Sequence, residues 1–552
     1  MTMKFELLSF VLKETGQIRN KIIMATVAAG LANGLVMVII NNVAKDYHDI
    51  DFINIVLFFM CMGIFVTAKR YSLYETESKI QKDISNKHLT IIDKLRKSSL
   101  VQYEKLGKIG IVTNISENSE IIFESSRMIV SAMSAAVMLT FSFLYIAYLS
   151  TSALWMSIII ILLGVFAYQF NQKSIMALYA EFQQKDAAFF ESLNHFLDGF
   201  KEVKINRERS DDIYYNEFRE NVEQADDVKL RAEKKFITNT VFTQILFFML
   251  MAFIVFLLPQ MDGSKPETIV SITSVILFIA APVGILVDSM PIISKANMAL
   301  KNILRLEDVL DKASDYEANG REDFPADFGE LSIRQLNYNY MDDVNNKMFS
   351  LGPIDVSMKP GDLTFIVGGN GSGKTTLLKN LIGLYYPHSG SITVGDEPIA
   401  SHNYGAYRNL FSIVLTDFHL FDKIYGLKDL DESKVNALIR KMQIDHKTAF
   451  KDGKFTNLNL STGQRKRIAL IVALMEDKPI MIFDEVAADQ DPEFRQYFYY
   501  EFLPELKRNN KTVIAVSHDD RYFDVADRVI KMEYGKIAAI ETKGTARPGG
   551  LA

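Results

Sequence analysis

The chain is nearly free of cysteine: it has one, Cys61, in 552 residues, which excludes a disulfide within the chain and any cysteine-based zinc site. It lacks a basic excess. Its 61 lysines and arginines face 67 acids, a formal net charge of −6, so no global positive field points to nucleic acid as a partner. It lacks the polar bias of disordered chains, since 49% of its residues are hydrophobic and only 23% charged. The first 20 residues lack the short apolar core and small-residue cleavage site of a signal peptide, so removal of a leader is not expected. No internal repeat is visible.

Charge itself is missing from long stretches. Residues 22–44, 52–68, 128–172, 236–261 and 268–287 contain no Asp, Glu, Lys or Arg. A bilayer core about 30 Å thick takes roughly 20 apolar residues of helix. The window 128–172 is about twice that length, and its centre, Tyr148-Leu-Ser-Thr-Ser152, reads as a tight turn. Six membrane helices are therefore expected, at about 22–44, 52–68, 128–149, 153–172, 236–261 and 268–287. Basic residues orient them. Only Lys45 lies between the first two spans and only Lys265 between the last two, whereas 69–127 and 173–235 carry 11 each. By the positive-inside rule both long loops and both termini face the cytoplasm, in a multi-pass protein of the inner membrane.

The two long loops contain no proline and show helical apolar spacing, as in Phe189, Leu193, Phe196 and Phe200. They are expected to extend the membrane helices into the cytoplasm and turn near Lys105–Gly110 and Asn206–Ser210. Residues 1–312 thus read as an all-helical transmembrane domain, and the polar stretch 313–329, with Gly320 and Pro325, as a linker. From 330 to 543, short apolar runs such as Thr364–Val367, Ile480–Phe483 and Val513–Val516 alternate with helical patterns, the signature of an α/β domain with a mostly parallel sheet. Residues 544–552 read as a tail outside the fold.

The string GGNGSGKT at 368–375 matches the phosphate-binding pattern G-x-x-x-x-G-K-[ST] without a mismatch. It follows an apolar strand and opens a helix, as the chemistry requires. Glycines let backbone N–H groups close around phosphates, and the helix N-terminus favours anions. This makes Gly368, Asn370, Gly371, Ser372, Gly373, Lys374, Thr375 and Thr376 nucleotide-binding candidates. Lys374 would reach the β- and γ-phosphates, and Thr375 would offer a hydroxyl to Mg²⁺. A second apolar strand, Ile480–Phe483, ends in Asp484 and Glu485. Asp484 is the expected Mg²⁺ carboxylate and Glu485 the expected general base for an attacking water.

Leu460-Ser-Thr-Gly-Gln464 resembles the LSGGQ signature of ATP-binding-cassette (ABC) proteins, with Thr462 in place of the first glycine. With the P-loop and Asp484-Glu485, it makes the whole chain resemble an exporter half-transporter. The resemblance implies ATP and Mg²⁺ as cofactors and a homodimer in which Ser461, Gly463 and Gln464 of one copy close over ATP held by the other. It also implies that His518 contacts the γ-phosphate, that Tyr340 (with Tyr338 as the weaker candidate) stacks on adenine, and that Ala488–Asp491 forms the D-loop. Where the family has a Q-loop glutamine the chain has Thr416, followed by Asp417; these are the two candidates for the vacated Mg²⁺ contact. The strings 484–495, 416–421 and 461–467 look like the branch that exports cyclic peptides, siderophore precursors, lipopeptides and lasso-type microcins.

These readings together predict ATP-driven export of a peptide-derived cargo by alternating access of a homodimer in the lipid bilayer. A lipid flippase of the same architecture, or a regulatory membrane ATPase, is the alternative. Polar residues within spans are costly unless they face a cavity or a partner helix, so Asn33, Thr243 and Gln244 are expected to line the cargo path.

Overall fold

A computed structural model of the chain describes residues 19–45, 52–313, 324, 329–342, 347–427 and 429–543. Most of the linker expected at 313–329, the tail at 544–552 and the first 18 residues lie outside that set. The polypeptide divides into two compact units. One takes the chain up to His88 together with Thr113–Leu304; the other takes Leu89–Val112 together with Arg305 onward.

The first unit is all-helical among its described residues apart from short breaks at Ser150, Gly199, Asn206 and residues 263–265. Its chain runs through α1 (Arg19–Lys45), α2 (Phe52–Arg96), α3 (Leu100–Leu106), α4 (Lys108–Leu149), α5 (Thr151–Asp198), α6 (Phe200–Ile205), α7 (Arg207–Asp212), α8 (Arg219–Ala252), α9 (Leu258–Asp262) and α10 (Pro266–Ala313), α3 and the adjoining helix ends belonging to the second unit. Among the described residues, five helical stretches are long and apolar enough to cross a membrane: Arg19–Ala44, Phe52–Arg96, Gly110–Leu149, Arg207–Asp262 and Pro266–Asp311. Thr151–Ala167, within α5, is a shorter apolar helical stretch. Ser150 alone separates α4 from α5; extended at φ −160°, it caps α5 by accepting from the Ala153 N–H at 3.2 Å.

Small residues set the packing of α1 on α4. A Cβ at Gly30 would stand 2.8 Å from Val137 Cβ, and one at Gly34 only 2.4 Å from Phe141 Cδ1. With no hydrophobic drive between helices in lipid, such close backbone approach is what holds them. Polar side chains mostly bond within their own helix, as Thr26 Oγ1 does to the Ile22 carbonyl at 2.8 Å.

The second unit is built on two sheets. β1 (Leu331–Asp342), β2 (Lys347–Met358), β4 (Ser389–Val394) and β5 (Glu397–Pro398) form an antiparallel sheet in the order β2-β1-β4-β5. The other takes β3 (Leu363–Val367), β6 (Phe411–Val414), β9 (Ile480–Asp484), β10 (Thr512–Val516), β11 (Arg528–Glu533) and β12 (Lys536–Thr542) in the order β12-β11-β3-β10-β9-β6. A small hairpin, β7 (Phe450–Lys451) and β8 (Lys454–Phe455), stands apart. In the larger sheet all but the edge pair β11–β12 run parallel.

Every residue of β3, β9 and β10 is buried, as expected for parallel strands covered on both faces. Alternate residues feed two cores. Phe365, Phe483 and Ala515 join the helical side, while Ile366, Ile482 and Ile514 join the side of the antiparallel sheet. The helices of this unit are α11 (Lys374–Leu381), α12 (Tyr404–Arg408), α13 (Glu432–Lys441), α14 (Thr462–Glu476), α15 (Pro492–Tyr497) and α16 (Leu503–Arg508).

Candidate functional site

The parallel register brings the sequence candidates to one edge of the sheet. Val516 on β10 pairs with Ile366 on one side and Asp484 on the other. Strands lie about 4.8 Å apart, so Asp484 stands two strand spacings from Ile366. The 368–375 loop opens just beyond, at the carboxyl ends of parallel strands where open α/β sheets take ligands.

The loop depends on its glycines. Gly368, Gly371 and Gly373 have φ of 151°, 77° and 98°. At Gly368 a Cβ would meet the Met532 carbonyl at 2.4 Å, and at Gly373 the Phe349 ring at 3.0 Å. Gly373 then caps α11, leaving the helix N-terminus at the end of the loop. Lys374 is buried, its Nζ donating to the carbonyls of Gly368 and Gly369 at 3.0 and 3.1 Å. The Ser372 hydroxyl is buried with no partner. Asn370, Gly371 and Thr375 are exposed and Thr376 half-buried.

Asp484 is the most telling group. It is 1% exposed, and neither carboxylate oxygen has a hydrogen-bond partner. Burial pushes its pKa above the ordinary carboxylate value, and Glu485 adds to the rise; Thr416 and Lys374 pull the other way. A buried carboxylate without a protein partner fits a cation, and among the described residues no group of three His, Cys, Asp or Glu competes for one. One carboxylate beside hydroxyls suits Mg²⁺, which is held by one or two carboxylates, phosphates and water. Thr416 is the Q-loop candidate beside it, its Oγ1 donating to the Asp484 carbonyl at 3.3 Å. Asp417 is exposed and makes no such contact.

Glu485 adopts a left-handed φ of 50°. Its Oε1 lies 2.8 Å from His518 Nε2 in a cleft of about 240 Å³ that Arg495, Tyr499 and Asp519 also line. Tyr340 and Tyr338 share a face of β1. Tyr338 is buried and stacked on Tyr385, with ring centres 5.0 Å apart at 11°, whereas Tyr340 is 40% exposed at the free end of the stack. The Tyr385 hydroxyl donates to Glu104 of α3 at 2.9 Å, and Lys379 pairs with the same carboxylate at 3.2 Å.

Ser461 heads α14 and forms a reciprocal capping box with Gln464, at 3.4 Å from the Gln464 N–H and 3.2 Å for the return bond. Among the described residues, no hydrogen bond or ion pair joins the 368–376 loop to 461–464. The signature turn is tied to the D-loop instead, the Gln490 Nε2 donating to the Gly463 carbonyl at 2.9 Å.

Of the three membrane candidates, Asn33 donates to Met138 Sδ at 3.0 Å and Thr243 bonds back to the Asn239 carbonyl at 2.9 Å. Thr243 also lines an otherwise apolar cavity of about 90 Å³ between α5, α8 and α10. Gln244 is exposed. The structure does not gather the three around one cavity.

Two buried side chains near the site were not among the sequence candidates. Lys466 and Arg467 are both buried and both reach the 485–491 segment. The available signal was a pair of cations opening the apolar run Ile468–Leu474, where charge needs a built-in partner.

Comparison with known proteins agrees with this arrangement. Residues 351–488 match the ABC transporter family model. The ATP-binding protein SyrD of Pseudomonas syringae pv. syringae is 28% identical over 535 residues, 93% of each chain. The ATP-dependent lipid A-core flippase of Saccharophagus degradans is 28% identical over 260 residues, 44% of this chain and 43% of its own. The energy-coupling factor transporter ATP-binding protein EcfA1 of Mycoplasma genitalium is 31% identical over 204 residues, 35% of this chain and 73% of its own. Among solved structures, a bacterial Atm1-family ABC exporter with ATP bound has the same fold, with a TM-score of 0.78 at 16% identity over 95% of both chains.

Proposed function

The chain belongs to the ABC transporter family, and from that premise we propose that it works as a homodimer exporting a peptide-derived metabolite. It is a membrane-spanning ATPase that couples ATP hydrolysis to export. The similarity to SyrD over nearly the whole chain supports the cyclic-peptide branch, with cyclic, lasso or siderophore-type cargo.

One observation carries the two-copy reading: among the described residues, no hydrogen bond or ion pair joins the phosphate loop to the signature turn of the same chain. Two copies placed head to tail would complete two ATP sites, each with the loop of one and the signature of the other. In each site Tyr340 stacks on adenine and the loop amides with Lys374 hold the β- and γ-phosphates. Thr375 and Asp484 would hold Mg²⁺, with Thr416 beside them, and the ion when bound would supply positive charge against the phosphates. Glu485 accepts the proton of the attacking water, and His518, 2.8 Å away, keeps its carboxylate turned to that face. Ser461, Gly463 and Gln464 of the second copy close the site. That closure, passed to the membrane helices, alternates access to the cargo, and hydrolysis resets it. Six spans with both termini in the cytoplasm complete the topology.

The test is metabolite profiling of the medium from cells with and without the gene, paired with transport into inverted vesicles. A peptide-derived compound missing from the knock-out medium and accumulated by vesicles with ATP supports the reading. The flippase relatives favour lipid as the second reading; lipid-stimulated ATPase without any exported metabolite would establish that one instead.

A further inference from the structure

Lys466 is the least exposed cation of the site, at 2% exposure, and it sits in the second turn of the signature helix α14. Its Nζ makes two contacts: the Asp489 carboxylate at 2.7 Å and the backbone carbonyl of Glu485 at 2.8 Å. Asp489 is half-exposed, so the buried ammonium gains from the pair more than the acid does. The Glu485 contact bears on chemistry. Glu485 is in the left-handed region, which a side chain other than glycine adopts only when its surroundings hold it there. Lys466 holds the carbonyl of that residue while His518 holds its carboxylate.

The neighbours of the lysine in the first turns of its helix are equally fixed. At Gly463 a Cβ would meet the Asp489 carbonyl at 2.5 Å, so the signature turn lies directly on the D-loop. Arg467 donates to Gln490 Oε1 at 2.9 Å and pairs with Asp491, while its guanidinium lies 3.9 Å over the Phe494 ring. The signature turn and residues 489–491 are therefore one rigid piece, and Lys466 is the arm joining that piece to Glu485.

We infer that Lys466 is a positioning residue that makes the orientation of Glu485 depend on the signature turn of its own chain. This rests on the shared-site reading above: the signature of one copy closes over ATP held by the other, while Glu485 serves its own copy's ATP. Closure at one site then sets the general base at the other, and the two hydrolysis events are coupled through a buried lysine.

The experiment uses the full chain in nanodiscs, with ATPase measured against ATP concentration. Lys466→Met keeps the stem and removes the charge. It should lower kcat by about 10²-fold, the size of effect that slight misplacement of a reacting group produces. KM should stay within about threefold and the Hill coefficient for ATP fall from near 2 toward 1, on the stated coupling of sites. Lys466→Arg should restore most of both. If Lys466→Met does not fold, Asp489→Asn, which frees one of the two contacts at a half-exposed acid, should lower the Hill coefficient with the melting temperature unchanged. Unaltered kcat and Hill coefficient in these variants overturn the inference, as does a parallel loss in kcat and KM that arginine does not rescue. Glu485→Gln with ATP, run beside them, separates the two levels. If it forms no closed dimer, the shared-site reading fails and this inference with it; if it does while Lys466→Met retains coupling, only the role of Lys466 fails.

Discussion

The two units differ in how many of their buried hydroxyls are satisfied within their own helix. In the membrane unit many buried hydroxyls bond within the same helix, four residues back: Thr76 to the Ser72 carbonyl, Ser142 to Met138, Ser157 to Ala153, all at 2.8–2.9 Å, while the amides of Asn41 and Asn171 cross to Ser271 and Asn239 on other helices. In the nucleotide unit the partner is another element. Lys466 of α14 reaches the end of β9, the buried Ser412 of β6 donates to the Ala473 carbonyl of α14 at 3.0 Å, and Tyr499 meets Ser517 after β10 at 2.7 Å. A helix in lipid cannot leave backbone or hydroxyl groups unpaired, so its hydroxyls fold back on their own carbonyls and only the longer amides reach a neighbouring helix. A phosphate site needs charges converging from several strands, and only long-range contacts deliver that. Substitutions should therefore act on chemistry in one unit and on packing in the other.

The largest effect belongs to the nucleotide unit. Lys374→Ala should abolish ATPase activity, because the phosphates lose their fixed cation. Glu485→Gln should lower it by about 10²–10⁴-fold, the usual cost of removing a general base. Both should leave thermal stability nearly unchanged, and differential scanning alongside a phosphate-release assay checks the pair. A wild-type rate for Glu485→Gln would assign the proton to another group.

In the membrane unit the matching break is steric. Gly34→Leu forces atoms into the 2.4 Å gap at Phe141 and should cost about 1–3 kcal/mol, as overpacking generally does. It should reduce the amount of folded protein recovered from membranes while the recovered fraction hydrolyses ATP normally. Normal yield would mean that α1 and α4 pack less tightly than the glycines imply.

That asymmetry explains what was legible beforehand. The phosphate loop, Asp484-Glu485 and the signature helix each show as a short spacing in one chain segment, and the parallel register sets Asp484 two strands from Ile366, just before the loop. The apolar runs made the membrane helices legible for the same reason. Lys466 and Arg467 were not, because a lysine's partner 23 residues away, as Asp489 is, leaves no mark in local spacing. The cargo path was not either: hydropathy says that a residue lies in a span, and says nothing about whether it faces lipid, a helix or a cavity. The polar residues singled out in the spans illustrate this, with Asn33 on Met138 and Thr243 in an apolar cavity.

The altered Q-loop gives a smaller, sharper test inside the nucleotide unit. Thr416→Val removes the hydroxyl that donates to the Asp484 carbonyl, a bond worth about 0.5–1.5 kcal/mol. It should raise the Mg²⁺ concentration needed for half-maximal ATPase by up to about tenfold. Asp417→Asn should leave the Mg²⁺ titration where it is. The reverse pattern would move the metal contact to Asp417.

The smallest effect tests the membrane unit's local habit. Asn33 bonds across to Met138 on α4, whereas Gln244 is exposed on α8. A polar bond between membrane helices contributes about 0.6 kcal/mol on average. Asn33→Leu should therefore lower stability by roughly that amount and reduce basal and cargo-stimulated ATPase together, by about two- to threefold at most, since 0.6 kcal/mol corresponds to a factor near three. Gln244→Leu removes no helix contact, so any change it makes should appear in the cargo-stimulated rate alone. Its amide would be kept at that depth only by a cavity or a second chain, because a polar group facing lipid is costly. If Gln244→Leu instead raises stability and leaves stimulation intact, that side chain faces lipid, and the cargo wall must be sought on other helices.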